Sequence, residues 1–287
     1  PSQTGIPAPD WLNYVNLIRE NASLPPVSNY LPFSTGSFAH SVYMIEEDHI
    51  VHFEDPESIW FTESGNRSAW QSNIGASIAL NSDYLWAIDF WTSGPFHLVP
   101  MLDPKLEQVG FGIYTRPLTD EEIAEGQTLQ TAATMDVWNG RVEETTADIK
   151  YPIMFPADKG ETWVIRHSLF EYPNPLTHCE EYENPSGPAI VMLMGNGEGT
   201  PQVGDHSFKH NEEELEHCII HESNYTSVDD EYEQLTGREI LGMRDAVVLM
   251  PKEPLLINET YEVSLTVDGQ TYTWTFNTVP PPGKKTE

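Results

Sequence analysis

The hydrophobic periodicity of this chain changes near residue 150. Before that point, apolar residues recur at helical spacing in some segments and as strand-like runs in others. After it, short apolar runs are separated by Pro, Gly and Asn, and the last two runs, 261–267 and 272–276, flank an Asp268-Gly269 turn. An Asp-Gly pair between alternating strands is the strongest short-range signal for a β-hairpin. Since 287 residues suffice for two cores, we expect an α+β domain followed by an all-β domain.

The first half predicts three helices and two strands. Asp10 is a good N-cap for the first helix, the second is expected to start near Ser34 or Thr35, and the third to run from Ser82 to Trp91, where Gly94-Pro95 ends it. Residues 50–74 show no hydrophobic periodicity, so we expect a long irregular segment there. Segments of this kind often carry functional residues. The expected strands are 108–114 and 132–138, separated by an acidic insertion at 120–126.

The charge of the chain excludes one class of partner. Lys and Arg number 14 against 45 Asp and Glu, which gives a formal net charge of -31. Such a surface repels phosphate backbones and anionic lipid, so nucleic acid is not expected as a partner. The acidity has two open interpretations, solubility or the binding of Ca²⁺ through carboxylates. No run approaches the roughly 18 to 20 apolar residues of a membrane helix, so no membrane span is expected.

The chain has two cysteines, Cys179 and Cys218, and neither lies in a metal-binding spacing. In an oxidising compartment they are expected to form a disulfide, which contributes roughly 4 kcal/mol in the chain-entropy model. Two buried free thiols are the alternative.

Several motifs of the first half follow one another in a specific order. They are Asn16-Leu-Ile-Arg19, Phe38-Ala-His40, His52-Phe-Glu54, Ser72-Asn-Ile74, Trp91-Thr-Ser-Gly-Pro-Phe-His97 and Val109-Gly-Phe-Gly112. This order, over roughly residues 10 to 140, resembles bacterial secreted members of the CAP superfamily, the cysteine-rich secretory, antigen 5 and PR-1 proteins. The resemblance implies a three-layer α/β/α CAP sandwich with a central cleft.

In that family, two histidines and acidic residues in the cleft can bind a divalent metal. The resemblance assigns the metal-binding histidines to His52 and His97, and His40 matches a helix-borne histidine that lines the same cleft. The acids depart from the pattern, because Ser72 stands where a Glu is expected and the second acid position falls at Gly94.

Glu54 and Glu63 are the available substitute acids for the cleft. Zn²⁺ or Ca²⁺ is the candidate cofactor, and the chain has no glycine-rich nucleotide motif that would indicate an organic cofactor. The alternative is that His52 and His97 only form hydrogen bonds that hold the long segment onto the sheet.

The second half resembles the Ig-like domains appended to secreted bacterial proteins. The expected organisation is a CAP domain at 1–148, an Ig-like β-sandwich at 149–279 and a Pro-rich tail at 280–287. Four histidines near a run of glutamates are expected to lie in a solvated acidic loop, with an adventitious metal site as the alternative: His206, His210, His217 and His221.

Three functions remain open at this point. The leading one is a secreted CAP-domain protein whose cleft binds a divalent metal or a small or lipidic ligand, with the Ig-like domain as a spacer or contact module. The second is a structural subunit of an extracellular surface layer, matrix or filament, and the third is a metal-dependent hydrolase with Glu63 or Glu54 as base. The expected partners are extracellular or cell-surface components or further copies of the chain, and the sequence leaves open whether the protein is an enzyme.

Overall fold

The computed structural model describes residues 9–168, 170–228 and 230–282, and the chain divides into two compact units. Unit 1 takes its described residues from Pro1–Leu17, Pro25–Ile88 and Pro104–Thr146, and unit 2 from Ile18–Leu24, Asp89–Asp103 and Ala147–Glu287. Unit 2 therefore includes two short segments of the first half. The domain bounds expected from the sequence stay a prediction, and residues 283–287 of the expected tail lie outside the described residues.

The α-helices of the described residues all lie in the first half except the last. They are α1 (Asp10–Glu20), α2 (Leu31–Glu46), α3 (Glu63–Ala69), α4 (Tyr84–Ser93), α5 (Pro95–Met101), α6 (Asp120–Glu125) and α7 (Glu231–Gly242). The second helix starts at Leu31, earlier than predicted, because Pro32 lies in its first turn, where its fixed φ favours the helix. Both α3 and α6 begin at a threonine cap, and Thr119 and Glu122 form a capping box at α6.

The strands range in length from two residues to nine. They are β1 (Ser28–Asn29), β2 (Asn73–Ser77), β3 (Gln108–Thr115), β4 (Thr131–Asp136), β5 (Ile153–Phe155), β6 (Gly160–Thr162), β7 (Ile190–Leu193), β8 (Val203–His210), β9 (Glu213–Glu214), β10 (His217–His221), β11 (Ala246–Pro251), β12 (Thr260–Val267) and β13 (Gln270–Thr278).

Unit 1 is built on a four-stranded sheet in the order β1-β3-β4-β2. The β1–β3 pair is parallel and the other two pairs are antiparallel. Helix α2 packs so closely on β3 that a Cβ at Gly110 or Gly112 would overlap the backbone of α2. Phe111 lies between these glycines, so its side chain points to the opposite face, where Trp11 of α1 stacks on it at 5.4 Å. Helices therefore cover both faces of the sheet.

Unit 2 is largely β and contains two sheets. Their orders are β10-β11-β7-β5 and β6-β13-β12-β8-β9. One apolar core holds residues of both sheets, among them Met192 and Leu249 from the first and Phe208, Val263 and Phe276 from the second. The predicted hairpin is confirmed: β12 and β13 pair through a turn in which Asp268 and Gly269 both have positive φ. The predicted disulfide between Cys179 and Cys218 is also present.

The structure corrects two further sequence predictions and adds a helix that the sequence did not indicate. The irregular segment 50–74 contains α3 and the start of β2. Gly94-Pro95 ends α4 as expected but also begins α5, since Pro95 lies at the start of that helix. The histidine-rich region 206–221 is not a loop, because β8 and β10 pair there with β12 and β11, respectively.

Candidate functional site

His40 and Glu54 form a buried pair in unit 1. His40 lies on α2, and its Nδ1 is 3.0 Å from Oε1 of Glu54, while its Nε2 is 2.8 Å from the carbonyl oxygen of Val51. Because a carbonyl oxygen only accepts, Nε2 is the donor in the contact with Val51. His40 on α2 therefore uses both ring nitrogens to hold Val51 and Glu54 against the helix.

Glu54 is the centre of a set of hydrogen bonds that fixes residues 50–62, called here the 50–62 segment. Its Oε2 accepts from the backbone N–H of Thr62 at 2.7 Å, and its own N–H donates to the Asn66 side chain at 2.9 Å. Thr62 in turn caps α3 by accepting from the N–H of Gly65 at 2.9 Å. The Glu54 carboxylate thus links His40 of α2 to Thr62, and the Glu54 backbone N–H links residue 54 to Asn66 of α3.

His52 and Glu63, the other cleft candidates of unit 1, have different surroundings. His52 is partly buried, and its Nδ1 donates to the carbonyl oxygen of Ala69 at the end of α3, at 2.8 Å. Glu63 is exposed in the first turn of α3, where a negative charge favours the helix. Of the predicted site residues, the structure brings His40 and Glu54 into direct contact.

His97, the fifth candidate, belongs to unit 2 and pairs with a residue that the sequence did not indicate. Its Nδ1 is 2.7 Å from Oε1 of Glu171, and its backbone N–H donates to the same oxygen at 2.9 Å. Both residues are buried. Glu171 is separated from His97 by 74 positions, so no local pattern in the sequence could have indicated this pair.

Another histidine, His167, lies close to this pair, and the sequence did not indicate it as a site residue. His167 is buried, and its Nδ1 is 3.2 Å from Oγ of Ser93, the last residue of α4. Burial lowers the pKa of His167, and the charge of Glu171 opposes that shift. His167 is therefore favoured in its neutral form.

A metal site requires several donor side chains close together. Over the described ranges, no group of three or more His, Cys, Asp and Glu side chains could hold a metal ion. Structural zinc sites use four such ligands and catalytic sites three. Zn²⁺ or Ca²⁺ as a cofactor, and the assignment of His52 and His97 as metal ligands, stay predictions.

The histidines of unit 2 also predict how stability depends on pH. Burial lowers the pKa of four of them below the ordinary value of 6.5: His167, His178, His206 and His221. Just below pH 6.5, the unfolded chain then binds more protons than the folded chain, so their contribution to stability is present above pH 6.5 and lost as pH falls through the lowered pKa values.

The measurement is the urea midpoint of the wild type and of His167→Gln at about pH 7.5 and about pH 5.5. The wild type is expected to lose more stability on acidification than the variant. An equal loss in both proteins would show that His167 does not contribute.

Comparison with protein families matches residues 12–124 to the model described as CAP, the cysteine-rich secretory protein family. The comparisons with curated proteins and with solved structures gave no match. The matched range contains all five predicted cleft residues, whereas Glu171 lies outside it. Within the described residues, no helix combines the length and apolar character needed to cross a bilayer. Residues 12–124 therefore form a CAP domain, and a largely β region with two sheets follows it.

Proposed function

We propose that this is a secreted binding protein in which the 50–62 segment of the CAP domain recognises a small apolar or lipidic molecule. The observation that carries the proposal is the exposure of four large apolar side chains in this one segment: Ile50, Phe53, Ile59 and Trp60. Ile59 is 89% exposed and Phe53 is 61% exposed. Apolar side chains grouped at a surface are typical of binding sites, whereas scattered ones need no explanation.

The hydrogen bonds beneath the segment support this proposal. Glu54, His40 and Thr62 hold its backbone through buried and partly buried contacts, so the exposed side chains are displayed on a fixed chain. A fixed surface loses less conformational entropy when it binds, and this favours affinity. In this proposal the role of the His40–Glu54 pair is to position the segment.

Charge restricts the ligand further. The segment carries two exposed acids, Asp55 and Glu57, and the whole chain has a formal net charge of -31. An anionic head group would be repelled, so the proposed ligand has a neutral, zwitterionic or cationic polar group. Sterols and phosphatidylcholine meet this condition.

Secretion is part of the proposal. The disulfide between Cys179 and Cys218 supports it, because disulfides persist in oxidising compartments. We further propose that the C-terminal β region is an Ig-like contact module for extracellular or cell-surface components.

The test uses the natural fluorescence of the tryptophans, among them Trp60. Energy transfer to the fluorescent sterol dehydroergosterol measures small-molecule binding, and co-sedimentation with phosphatidylcholine vesicles measures binding to a lipid surface. Ile59→Ser is expected to weaken binding by a factor of at least about ten, since burial of an isoleucine side chain contributes about 1.5–3 kcal/mol. Ile123→Ser, the same change at another exposed isoleucine, in α6, is the control and is expected to bind like the wild type.

Two outcomes would contradict the proposal. Equal loss in Ile59→Ser and Ile123→Ser would show that the 50–62 segment is not the binding surface. Absence of binding, together with ordered oligomers that depend on Ile59, would support the structural-subunit hypothesis instead.

A further inference from the structure

Gly94, between α4 and α5, lies directly against the carboxylate of Glu171. A Cβ built at position 94 would be 2.5 Å from Cδ of Glu171 and 2.7 Å from its Oε1, and still closer to its Oε2. Two carbons separated by two covalent bonds are about 2.5 Å apart, which is also the separation of Cβ and Cδ within a glutamate. The carboxylate of Glu171 therefore occupies the space that an acidic side chain at position 94 would need.

The backbone does not require a glycine at this position. Gly94 has φ -110° and ψ 144°, an extended conformation open to any residue. The glycine is therefore explained by the room that it leaves for Glu171.

Within the described residues, only one of the two Glu171 carboxylate oxygens accepts hydrogen bonds. Its Oε1 accepts two hydrogen bonds, from Nδ1 and from the backbone N–H of His97, and its side chain is fully buried. Oε2 has no hydrogen-bond partner among the described residues and lies against Gly94. A buried carboxylate is costly unless it is paired, so the contact with His97 is the interaction that justifies its position.

From this geometry we infer that Glu171 is the positioning residue of His97, supplied by the C-terminal region in place of an acid at position 94. Nδ1 of His97 donates its proton to Glu171, which makes Nε2 the basic nitrogen of the neutral ring. The C-terminal region thus sets the tautomer and the orientation of a histidine that belongs to the CAP domain. This role does not depend on ligand binding by the 50–62 segment.

The test moves the carboxylate from position 171 to position 94 in the 287-residue chain. Gly94→Glu alone places two carboxylates in one space, so its melting temperature is expected to fall well below that of the wild type. Adding Glu171→Ala removes the competing group, and the double variant is expected to melt above Gly94→Glu. A double variant that melts at or below the Gly94→Glu single variant would overturn the inference.

Nitrogen-15 NMR of the His97 ring provides a readout that a merely structural role would not move. The wild type is expected to show a protonated, hydrogen-bonded Nδ1, and this signature should be lost in Glu171→Ala and restored in the double variant. Glu171→Gln keeps an acceptor oxygen and should retain it, which provides a test even if Glu171→Ala fails to fold. Glu161→Ala, at an exposed glutamate of β6, is the control. An unchanged His97 signature in Glu171→Ala, or its loss in Glu171→Gln, would contradict the inference.

Discussion

A chain that ends at Asp148 is expected to be unfolded or aggregated, although it contains the entire family match. The reason is that Asp89–Asp103 belongs to unit 2, together with the chain from Ala147 onward. Five of its apolar residues are fully buried in the 287-residue chain: Trp91, Leu98, Val99, Met101 and Leu102. Each buried side chain of this kind contributes about 1.5–3 kcal/mol, so exposing part of this set removes a large fraction of the roughly 5–15 kcal/mol that stabilises a domain.

Specific contacts of this segment would be lost in the same truncation. Phe96 packs edge-on against Tyr225 with ring centroids 4.8 Å apart, and Asp89 accepts a hydrogen bond from the Trp163 indole at 2.9 Å. Circular dichroism and size-exclusion chromatography of the truncated chain measure the effect, with a chain shortened only to Pro282 as the control. A cooperative thermal transition in the chain ending at Asp148 would contradict this part of the account.

Asp103→Ala is expected to destabilise the protein by about 3–5 kcal/mol, because it leaves buried arginines without their carboxylate. Asp103 and Arg244 are nearly inaccessible to solvent, and Oδ2 of Asp103 accepts from Nε of Arg244 at 3.0 Å and from its second amino group at 2.9 Å. Arg19 is fully buried, and its guanidinium donates to the carbonyl oxygens of Met101 and Asp103 at 2.7 and 3.1 Å. Burial lowers the pKa of Arg19 to about 10, and the charge of Asp103 opposes that shift, so the arginine stays charged at neutral pH.

The effect is measured as the change in the free energy of unfolding from urea titrations. Asp103→Asn keeps the shape and removes the charge, so it separates the loss of the ion pair from the loss of packing. Asp205→Ala, at an exposed aspartate of unit 2, is the control and is expected to change stability by less than about 0.5 kcal/mol. A similar change in Asp103→Ala and Asp205→Ala would show that the buried pair does not stabilise unit 2.

The elements that the sequence predicted well are those with a strong local pattern. Helix α1 has apolar residues at helical spacing after Asp10, and β12 and β13 alternate around an Asp-Gly turn. In β3, the two glycines that helped to identify the family are also the residues that let α2 approach the sheet. The close approach of α2 to β3 requires glycine at these two positions, and the same requirement accounts for the sequence motif.

Other elements were not predicted, because their local sequence patterns are compatible with more than one structure. Gly94-Pro95 ends one helix and begins the next, and Pro100 lies inside the short helix α5, where a proline normally argues against a helix. The partner of His97 could not be predicted at all, because Glu171 comes from another part of the chain and only the tertiary structure joins them. Long-range polar pairs of this kind leave no periodicity in a single sequence.

The central claim, that the 50–62 segment is the ligand-binding surface, is tested most directly by labelling the intact protein with a photoreactive sterol and mapping the modified peptides. The proposal predicts that the label is concentrated on residues 50–62 and is lost in Ile59→Ser but not in Ile123→Ser. Label concentrated on the C-terminal β region, or on the helices around His97, would contradict the claim.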